Sequence, residues 1–255
     1  MKKLLTAANE PHDAAGLAAF RVLLGLVLCG AMVRYMTTGW AGQFYVERSF
    51  HFTYWGFGWV RPLPEAWMIA TFVVLAVAAA CIALGLAYRA ATIVFFVGFT
   101  YVHLLDVSNY LNHYYLVSVL ALLACVLPLH RAFSVDAWLR PSLRAATLPA
   151  WMTWLLRGQV GLVYFFAGLA KLGPDWLLHG QPLGIWLASR TDLPVVGPFL
   201  DEHAVALAMS WAGFLYDTTI AGWLLWRRSR PSRTPWCASS TSSRTCSSTS
   251  GSSRS

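Results

Sequence analysis

Long apolar runs, separated by short polar stretches, constrain this chain more than any other feature of its sequence. Several runs approach the roughly 20 residues that a helix needs to cross the hydrocarbon core of a bilayer. In that core every backbone amide must be paired within the protein, so only helices and closed barrels can span it. The runs are continuous and do not alternate between apolar and polar residues, which favours helices. The sequence therefore predicts an all-α, multi-pass bundle of membrane helices.

The charge content supports the same prediction, because 12% of the residues are charged and a soluble domain carries about 25%. We expect six membrane segments, at about 17–37, 67–87, 91–106, 114–129, 152–172 and 204–226. The N-terminal stretch is polar at Glu10, His12 and Asp13, where a cleavable signal peptide would have its apolar core. The first segment is therefore expected to be a retained helix.

The basic residues are distributed as in a membrane protein, although a formal net charge of +8 would also suit nucleic-acid binding. Lysine and arginine are enriched in cytoplasmic loops. With the N-terminus inside, the inner face receives Lys2, Lys3, Arg89, Arg131, Arg140, Arg144, Arg227, Arg228 and Arg230. The outer face receives Arg48, Arg61 and Arg190. We therefore predict an integral membrane protein with a cytoplasmic N-terminus, in the plasma membrane if the source is bacterial, whose partner is the lipid bilayer and not nucleic acid.

Two outer loops have a distinctive composition. The loop at 38–66 is dense in aromatic side chains, which are typical of the headgroup level of a bilayer. It is either a segment lying in the interface at a lipid-facing entrance or a simple aromatic belt. The loop at 173–203 contains the stretch GIWLAS, which is expected to form a short amphipathic helix.

The composition changes abruptly near Ser232, after which serine and threonine dominate. One interpretation is a disordered Ser-rich tail. The other is a shift of reading frame, because reading the codons of residues 240–254 in the neighbouring frame permits an apolar segment. We expect a membrane domain at 1–231 and a tail at 232–255 that is out of frame and disordered.

Motifs for several kinds of site are absent from the sequence. The five cysteines form no CxxC pair, and Cys29, Cys81 and Cys125 lie within apolar runs, where cysteine behaves as a small hydrophobic residue. There is no HExxH, GxxxxGK[ST], GxGxxG or GxSxG pattern. The histidines show no metal-ligand spacing either, so no metal site is predicted.

Polar and ionisable side chains at membrane depth are the remaining candidates for chemistry, because they are costly there. Asp106 ends the third segment, Asn112 and His113 open the fourth, and Lys171 ends the fifth. Counting the crossings places Asn112, His113 and Lys171 on one side of the membrane at similar depth. The alternatives are structural, since a lysine at a helix end usually extends to the headgroups and an interfacial histidine is usually only hydrogen-bonded.

Three more such groups lie inside the expected helices. Arg21 and Asp217, in the first and sixth segments, are expected to pair with each other or with backbone carbonyls. His103, in the third segment, is expected to have a similar structural partner.

Eight short segments, in the same order along the chain, resemble the vitamin K-dependent γ-glutamyl carboxylases and the wider family of horizontally transferred transmembrane domain (HTTM) proteins. They are LAAFRVLLG (17–25), RPLPEAWM (61–68), GLAYR (85–89), LLDVSNYLNHYYL (104–116), SVDAWL (134–139), LLRGQ (155–159), VYFFAGLAKLGPDWL (163–177) and YDTTIAG (216–222). Any one of them is a weak match, and their common order indicates common descent.

The resemblance assigns roles to residues of this chain. The family's catalytic base is a lysine in an AGxxKLxxDW segment, which Lys171, Asp175 and Trp176 match, although Ala170 replaces the first of two lysines present in the animal enzymes. The family's NHxYL segment helps to hold the quinol. It implies His113 as a second catalytic residue and, as quinol-binding residues, Asn112, His113 and Tyr115. Supporting roles are expected for Asp106, Arg21, Asp175, Trp176 and Asp217.

The resemblance also implies an activity and its co-substrates. In this family the lysine, neutral because partial burial disfavours its charge, deprotonates vitamin K hydroquinone. Oxygen then converts the quinol to a strongly basic alkoxide, which removes a γ-proton from a glutamate of a protein substrate. The carbanion captures CO2 and the quinol leaves as the epoxide. The implied protein is a carbon-carbon lyase without a metal.

Two alternatives remain open. One is a related quinone-handling redox or epoxidising enzyme that carboxylates nothing, and the other is a non-enzymatic membrane scaffold or transport component. The animal enzymes continue for several hundred residues, so this chain is also expected to be a fragment that lacks parts of the site. A shared apolar cavity for Lys171 and His113 would favour an enzyme.

Overall fold

Residues 6–225 are described by a computed structural model, and within them six long helices occupy the positions of the six expected membrane segments. They are α1 (Ala15–Thr37), α3 (Glu65–Leu84), α4 (Tyr88–Leu104), α5 (Asn112–Val126), α7 (Ala150–Ala170) and α10 (His203–Leu225). Shorter helices lie between them, namely α2 (Trp40–Tyr45), α6 (Val135–Leu139), α8 (Pro174–Leu177) and α9 (Leu183–Ala188). The expected tail at 232–255 and the boundary at 231 lie outside the described residues.

The prediction of an all-α membrane fold is confirmed. Helices α1, α3 and α10 are long and apolar enough to cross a membrane, and α4 and α5 are shorter apolar helices. The short helix expected in GIWLAS is also confirmed, since it is α9. The number of crossings and the cytoplasmic position of the N-terminus stay predictions.

The buried guanidinium of Arg21 closes the end of α3. Its Nη1 donates hydrogen bonds to the carbonyls of Ile82 and Ala83, at 2.8 and 2.5 Å, and its Nη2 donates to the Phe133 carbonyl at 2.6 Å. A helix C-terminus leaves such carbonyls without partners. Glycine suits position 85, where α3 ends in the left-handed region (φ +65°), because a Cβ on Gly85 would lie 2.7 Å from Nη1. Of the two alternatives for Arg21, the structure shows pairing with backbone carbonyls.

The carboxylate of Asp136 organises the start of α4 in the same region. It accepts hydrogen bonds from the backbone amides of Ala87 and Tyr88, each at 2.9 Å. The Tyr88 hydroxyl donates to the Ala124 carbonyl near the end of α5, at 2.8 Å, and the His130 ring stacks on Tyr88. Burial lowers the pKa of the His130 imidazole, which favours its neutral form. The segments GLAYR and SVDAWL therefore meet at this end of the bundle and join α3, α4 and α5.

Close packing of α1 against α3 forms the main core. A Cβ on Gly25 would lie 2.8 Å from the Ala79 carbonyl oxygen and 2.7 Å from Ala83 Cα, so the missing side chain lets the two helices approach. Side chains of α1, α3, α4, α5 and the start of α7 fill this core, among them Leu28, Met32, Phe72, Leu75, Phe95, Leu120, Met152 and Leu156.

A short antiparallel pairing, which the sequence did not predict, connects the N-terminal segment to the start of α7. Strand β1 (Pro11–Asp13) pairs with β2 (Thr147–Pro149), and the Ala150 amide donates to the Glu10 carbonyl at 2.9 Å. Helices α1 and α7 thus begin at the same end of the bundle. Since α7 has 21 residues, it ends roughly 30 Å away at 1.5 Å per residue.

Candidate active site at the end of α7

Lys171 immediately follows α7 and forms an ion pair with a carboxylate on α10. Its Nζ lies 2.5 Å from Asp217 Oδ2 and also donates to the Ala167 carbonyl at 3.4 Å. The side chains of Lys171 and Asp217 are 19% and 12% exposed. Asp217 therefore pairs with Lys171 and not with Arg21. Such pairing offsets part of the cost of placing ionisable groups among apolar helices.

A glycine one turn before Lys171 brings α7 and α10 together. A Cβ on Gly168 would lie 2.8 Å from the Thr218 Cγ2 atom, so any larger residue would have to displace the Thr218 side chain or α10 itself. Small residues at such crossings are typical of packed membrane helices. The close packing of Gly168 on Thr218 therefore brings the segments that contain Lys171 and Asp217 into contact.

The indole of Trp176 forms one side of the site. Lys171 Nζ lies 4.9 Å from the centroid of the Trp176 ring, which is within the range of a cation–π interaction. The ring is held in place by its Nε1, which donates to the Ser210 carbonyl on α10 at 2.8 Å. The side chain of Asp175 is exposed, and its backbone carbonyl accepts a hydrogen bond from the Gln181 amide at 2.8 Å. Of the DW pair, it is Trp176 that contacts Lys171.

Aromatic and aliphatic side chains surround the ion pair on α7 and α10. Tyr164 meets Tyr216 edge to face, with 5.7 Å between ring centroids. Residues on the outer surface of the two helices are exposed, including Phe165, Phe166, Leu169, Leu215 and Tyr216. Part of the ion pair is therefore open towards an apolar surface.

The residues of the NHxYL segment lie at the first turn of α5. Asn112, His113 and Tyr115 are all exposed. The His113 ring packs edge to face on Tyr114, with 4.5 Å between centroids, and the Tyr114 hydroxyl is 2.5 Å from the Tyr35 hydroxyl. The residue of this segment that is half-buried and contacts the bundle is therefore Tyr114, which sequence reasoning did not select.

The enclosed cavity next to α5 is aromatic and small. Its volume is about 20 Å³, which is room for about one water molecule. It is lined by Met32, Tyr35, Tyr45, Phe72, Phe99, Val102, His103, Asp106, Asn109 and Tyr114. A quinone ring does not fit in this volume, and neither Lys171 nor His113 belongs to the lining.

Asp106 borders this cavity and anchors the aromatic outer loop. Its buried carboxylate accepts hydrogen bonds from the amides of Ser108, at 2.8 Å, and Phe52, at 3.3 Å, and lies 3.6 Å from Arg48 Nη1. Burial raises the pKa of the nearby Tyr45 phenol above its usual range, so it stays protonated. Asp106 therefore binds two residues of the outer loop, Arg48 and Phe52, and Ser108 in the turn after α4.

The outer loop itself exposes several of its rings. Phe50, Phe52, Trp55 and Trp59 are exposed beyond the short helix α2, whereas the side chain of Tyr45 is buried in the bundle. The exposed rings are compatible with both sequence-based interpretations, a lipid-facing entrance and an aromatic belt.

Among the described residues, no group of three or more histidine, cysteine, aspartate or glutamate side chains could hold a metal ion. Within residues 6–225, the cluster of Lys171, Asp217 and Trp176 is the arrangement that most resembles a catalytic site. It combines a base candidate, an acidic partner and an aromatic wall.

The fold and this cluster define an all-α membrane protein with an ion pair between two of its helices. The family model of the HTTM domain matches residues 9–243, and the chain belongs to that family. The HTTM domain is associated with vitamin K-dependent carboxylase-like proteins. No solved structure matches this chain.

Proposed function

We propose that this protein is a membrane enzyme that converts protein glutamate to γ-carboxyglutamate and couples this to epoxidation of vitamin K hydroquinone. The observation that carries the proposal is the position of Lys171, which occupies the place of the family's base and is held by Asp217 and Trp176. Membership of the HTTM family supports the same assignment.

The surroundings of Lys171 suit a lipid-soluble co-substrate better than the enclosed cavity does. The cavity holds about one water molecule, whereas the ion pair is partly open beside exposed apolar side chains of α7 and α10. The hydroquinone, when bound, supplies the reducing equivalents and the strong base that removes the γ-proton. Asn112, His113 and Tyr115 are the residues proposed to orient it.

The role of Lys171 is to accept a proton from a hydroxyl group. A lysine does this only as the neutral amine, and the Asp217 carboxylate, 2.5 Å away, is the group proposed to accept the proton that the Lys171 ammonium must first give up. Trp176 fixes the position of the amine through its ring. Exclusion of water by the apolar surroundings would strengthen each of these interactions.

The proposal is tested with the purified chain in lipid, supplied with vitamin K hydroquinone, oxygen, labelled CO2 and a glutamate-containing peptide. Epoxide and labelled peptide should both form, and Lys171→Ala should abolish both while Lys3→Ala leaves them unchanged. Epoxide formation that persists in Lys171→Ala would refute the assignment of the base.

The separation of the site residues favours a second candidate function. The enclosed cavity includes neither Lys171 nor His113, and a non-enzymatic membrane scaffold or transport component, unlike an enzyme, needs no cavity shared by the two. In the same assay, the absence of both products from the folded wild-type chain would identify the scaffold. Epoxide without labelled peptide would identify a quinone-handling enzyme without carboxylation.

A further inference from the structure

We propose that the Lys171–Asp217 pair lies near the middle of the bilayer, and that residues 172–188 enter the membrane beside the first half of α10, in contact with lipid. The sequence analysis placed residues 173–203 in an outer loop and Lys171 at the outer end of the fifth membrane segment. The proposal concerns membrane depth alone, so it stands or falls independently of the reaction that the pair carries out.

The pair lies well inside α10. Asp217 lies 14 residues after His203, the first residue of α10, which is roughly 21 Å along a helix. A bilayer with its headgroups is about 40–45 Å thick. With α10 crossing the membrane from His203, the pair is about halfway through that thickness.

The chain after Lys171 follows α10 back towards the start of that helix. Trp176 Nε1 donates to the Ser210 carbonyl, and Trp211 Nε1 donates to the Leu177 carbonyl at 3.0 Å. A Cβ on Gly180 would lie 3.1 Å from the Leu207 amide nitrogen. The segment therefore runs back along α10 from the level of Asp217 towards the start of that helix. If α10 crosses the membrane, this segment shares its depth.

The surface of residues 172–188 is largely apolar. Leu178, Ile185 and Trp186 are 63, 67 and 60% exposed, and Asp175 is the one charged side chain among residues 172–188. Three large apolar side chains on a segment with so little charge fit contact with acyl chains. An aqueous loop of this length would normally carry more charge.

Much of the backbone of residues 172–188 is paired within the segment, as contact with lipid requires. Helices α8 and α9 form internal hydrogen bonds, and between them the Gln181 amide donates to the Asp175 carbonyl at 2.8 Å. The Leu178 amide donates to the Pro174 carbonyl at 2.8 Å, and the Gly184 amide to the Gly180 carbonyl at 2.9 Å. The segment therefore satisfies many of its own amides, as a segment within the bilayer must.

The consequence is that the ion pair is reached from the lipid phase. A lipid-soluble molecule could approach the partly open side of Lys171 and Asp217 without leaving the bilayer, whereas a water-soluble ion would first have to pass residues 172–188.

The depth of the segment is measured with a nitroxide label on Ile185→Cys, in a chain whose five cysteines are replaced by alanine and which is reconstituted into phospholipid vesicles. Val195→Cys, in the exposed stretch after α9, is the matched control. At position 185 relaxation by oxygen should exceed relaxation by a water-soluble nickel complex several-fold, and at position 195 the order should reverse. Equal exposure of both positions to the nickel complex would overturn the proposal and place the start of α10 outside the membrane.

A second measurement needs no substitution, because the chain has only three lysines, Lys2, Lys3 and Lys171. The vesicles are treated with an apolar succinimidyl ester or its sulfonated, membrane-impermeant form, and the modified lysines are identified by mass spectrometry. The apolar ester should modify Lys171 several-fold more than the sulfonated ester does, with Lys3 as the reference in permeabilised vesicles. Equal modification of Lys171 by the two esters would refute its position inside the bilayer.

Discussion

Two charged side chains, Arg21 and Lys171, are retained among apolar helices by different kinds of partner. Arg21 is fully buried and donates to backbone carbonyls at the ends of neighbouring elements, so its charge is distributed over several dipoles. Lys171 is neutralised by one carboxylate, Asp217. The sequence singled out all three residues because ionisable groups are rare in such helices. It left the partners open, because pairing depends on which helices pack together.

The role of Arg21 predicts a stability effect that is separate from any activity. Arg21→Met removes the donors to the carbonyls of Ile82, Ala83 and Phe133, and should lower the free energy of unfolding by roughly 2–4 kcal/mol. Arg34→Met, on the exposed face of the same helix, loses a contact with Trp40 and should cost about 1 kcal/mol or less. Thermal unfolding in detergent compares the two variants, and equal effects would contradict the closing role of Arg21.

The ion pair predicts non-additive effects of substitution. Lys171→Met or Asp217→Leu alone leaves one charge without its partner and should destabilise the protein by roughly 3 kcal/mol. The double variant removes both charges and should regain most of that loss. Unfolding midpoints of the four proteins provide the coupling energy. Additive losses would show that the two side chains contribute independently.

At the scale of elements, α7 and α10 illustrate how small residues determine which helices meet. Gly168 permits the approach to Thr218, and Gly25 permits the approach of α1 to α3. The sequence predicted both helix pairs only as separate segments, since an apolar helix presents similar surfaces in many directions. The short strands β1 and β2 were missed because three-residue pairings lack a detectable alternation.

The packing at Gly168 gives a matched pair of substitutions on one helix. In Gly168→Ala the new Cβ would lie 2.8 Å from Thr218 Cγ2, and we expect a loss of about 1–3 kcal/mol from overpacking. In Gly158→Ala the new Cβ has no atom within 4 Å, so better helix propensity should leave the stability unchanged or raise it by up to about 1 kcal/mol. Thermal unfolding tests both, and a loss as large at 158 as at 168 would contradict the packing argument.

At the scale of the whole molecule, the direction of the helices predicts a topology. Helices α1 and α7 begin at one end of the bundle, which the basic residues assign to the cytoplasm. A reporter fused after Ala145 should therefore be active on the cytoplasmic side, and one fused after Arg190 on the opposite side. Activity of both reporters on the same side would mean that residues 150–188 do not cross the membrane.

The sequence by itself determined the class of fold, the positions of six helices and the residues worth examining, because hydrophobic length and rare charges are local properties of a chain. Lys171, Asp217 and Trp176 all belonged to segments that the sequence had marked. Only the tertiary structure decided that Asp217 is the partner of Lys171, that Arg21 closes α3, and that Tyr114 and not Tyr115 borders the cavity. These outcomes depend on contacts between residues far apart in the chain, which are set by how closely the helices pack and by the rotation of each helix about its axis.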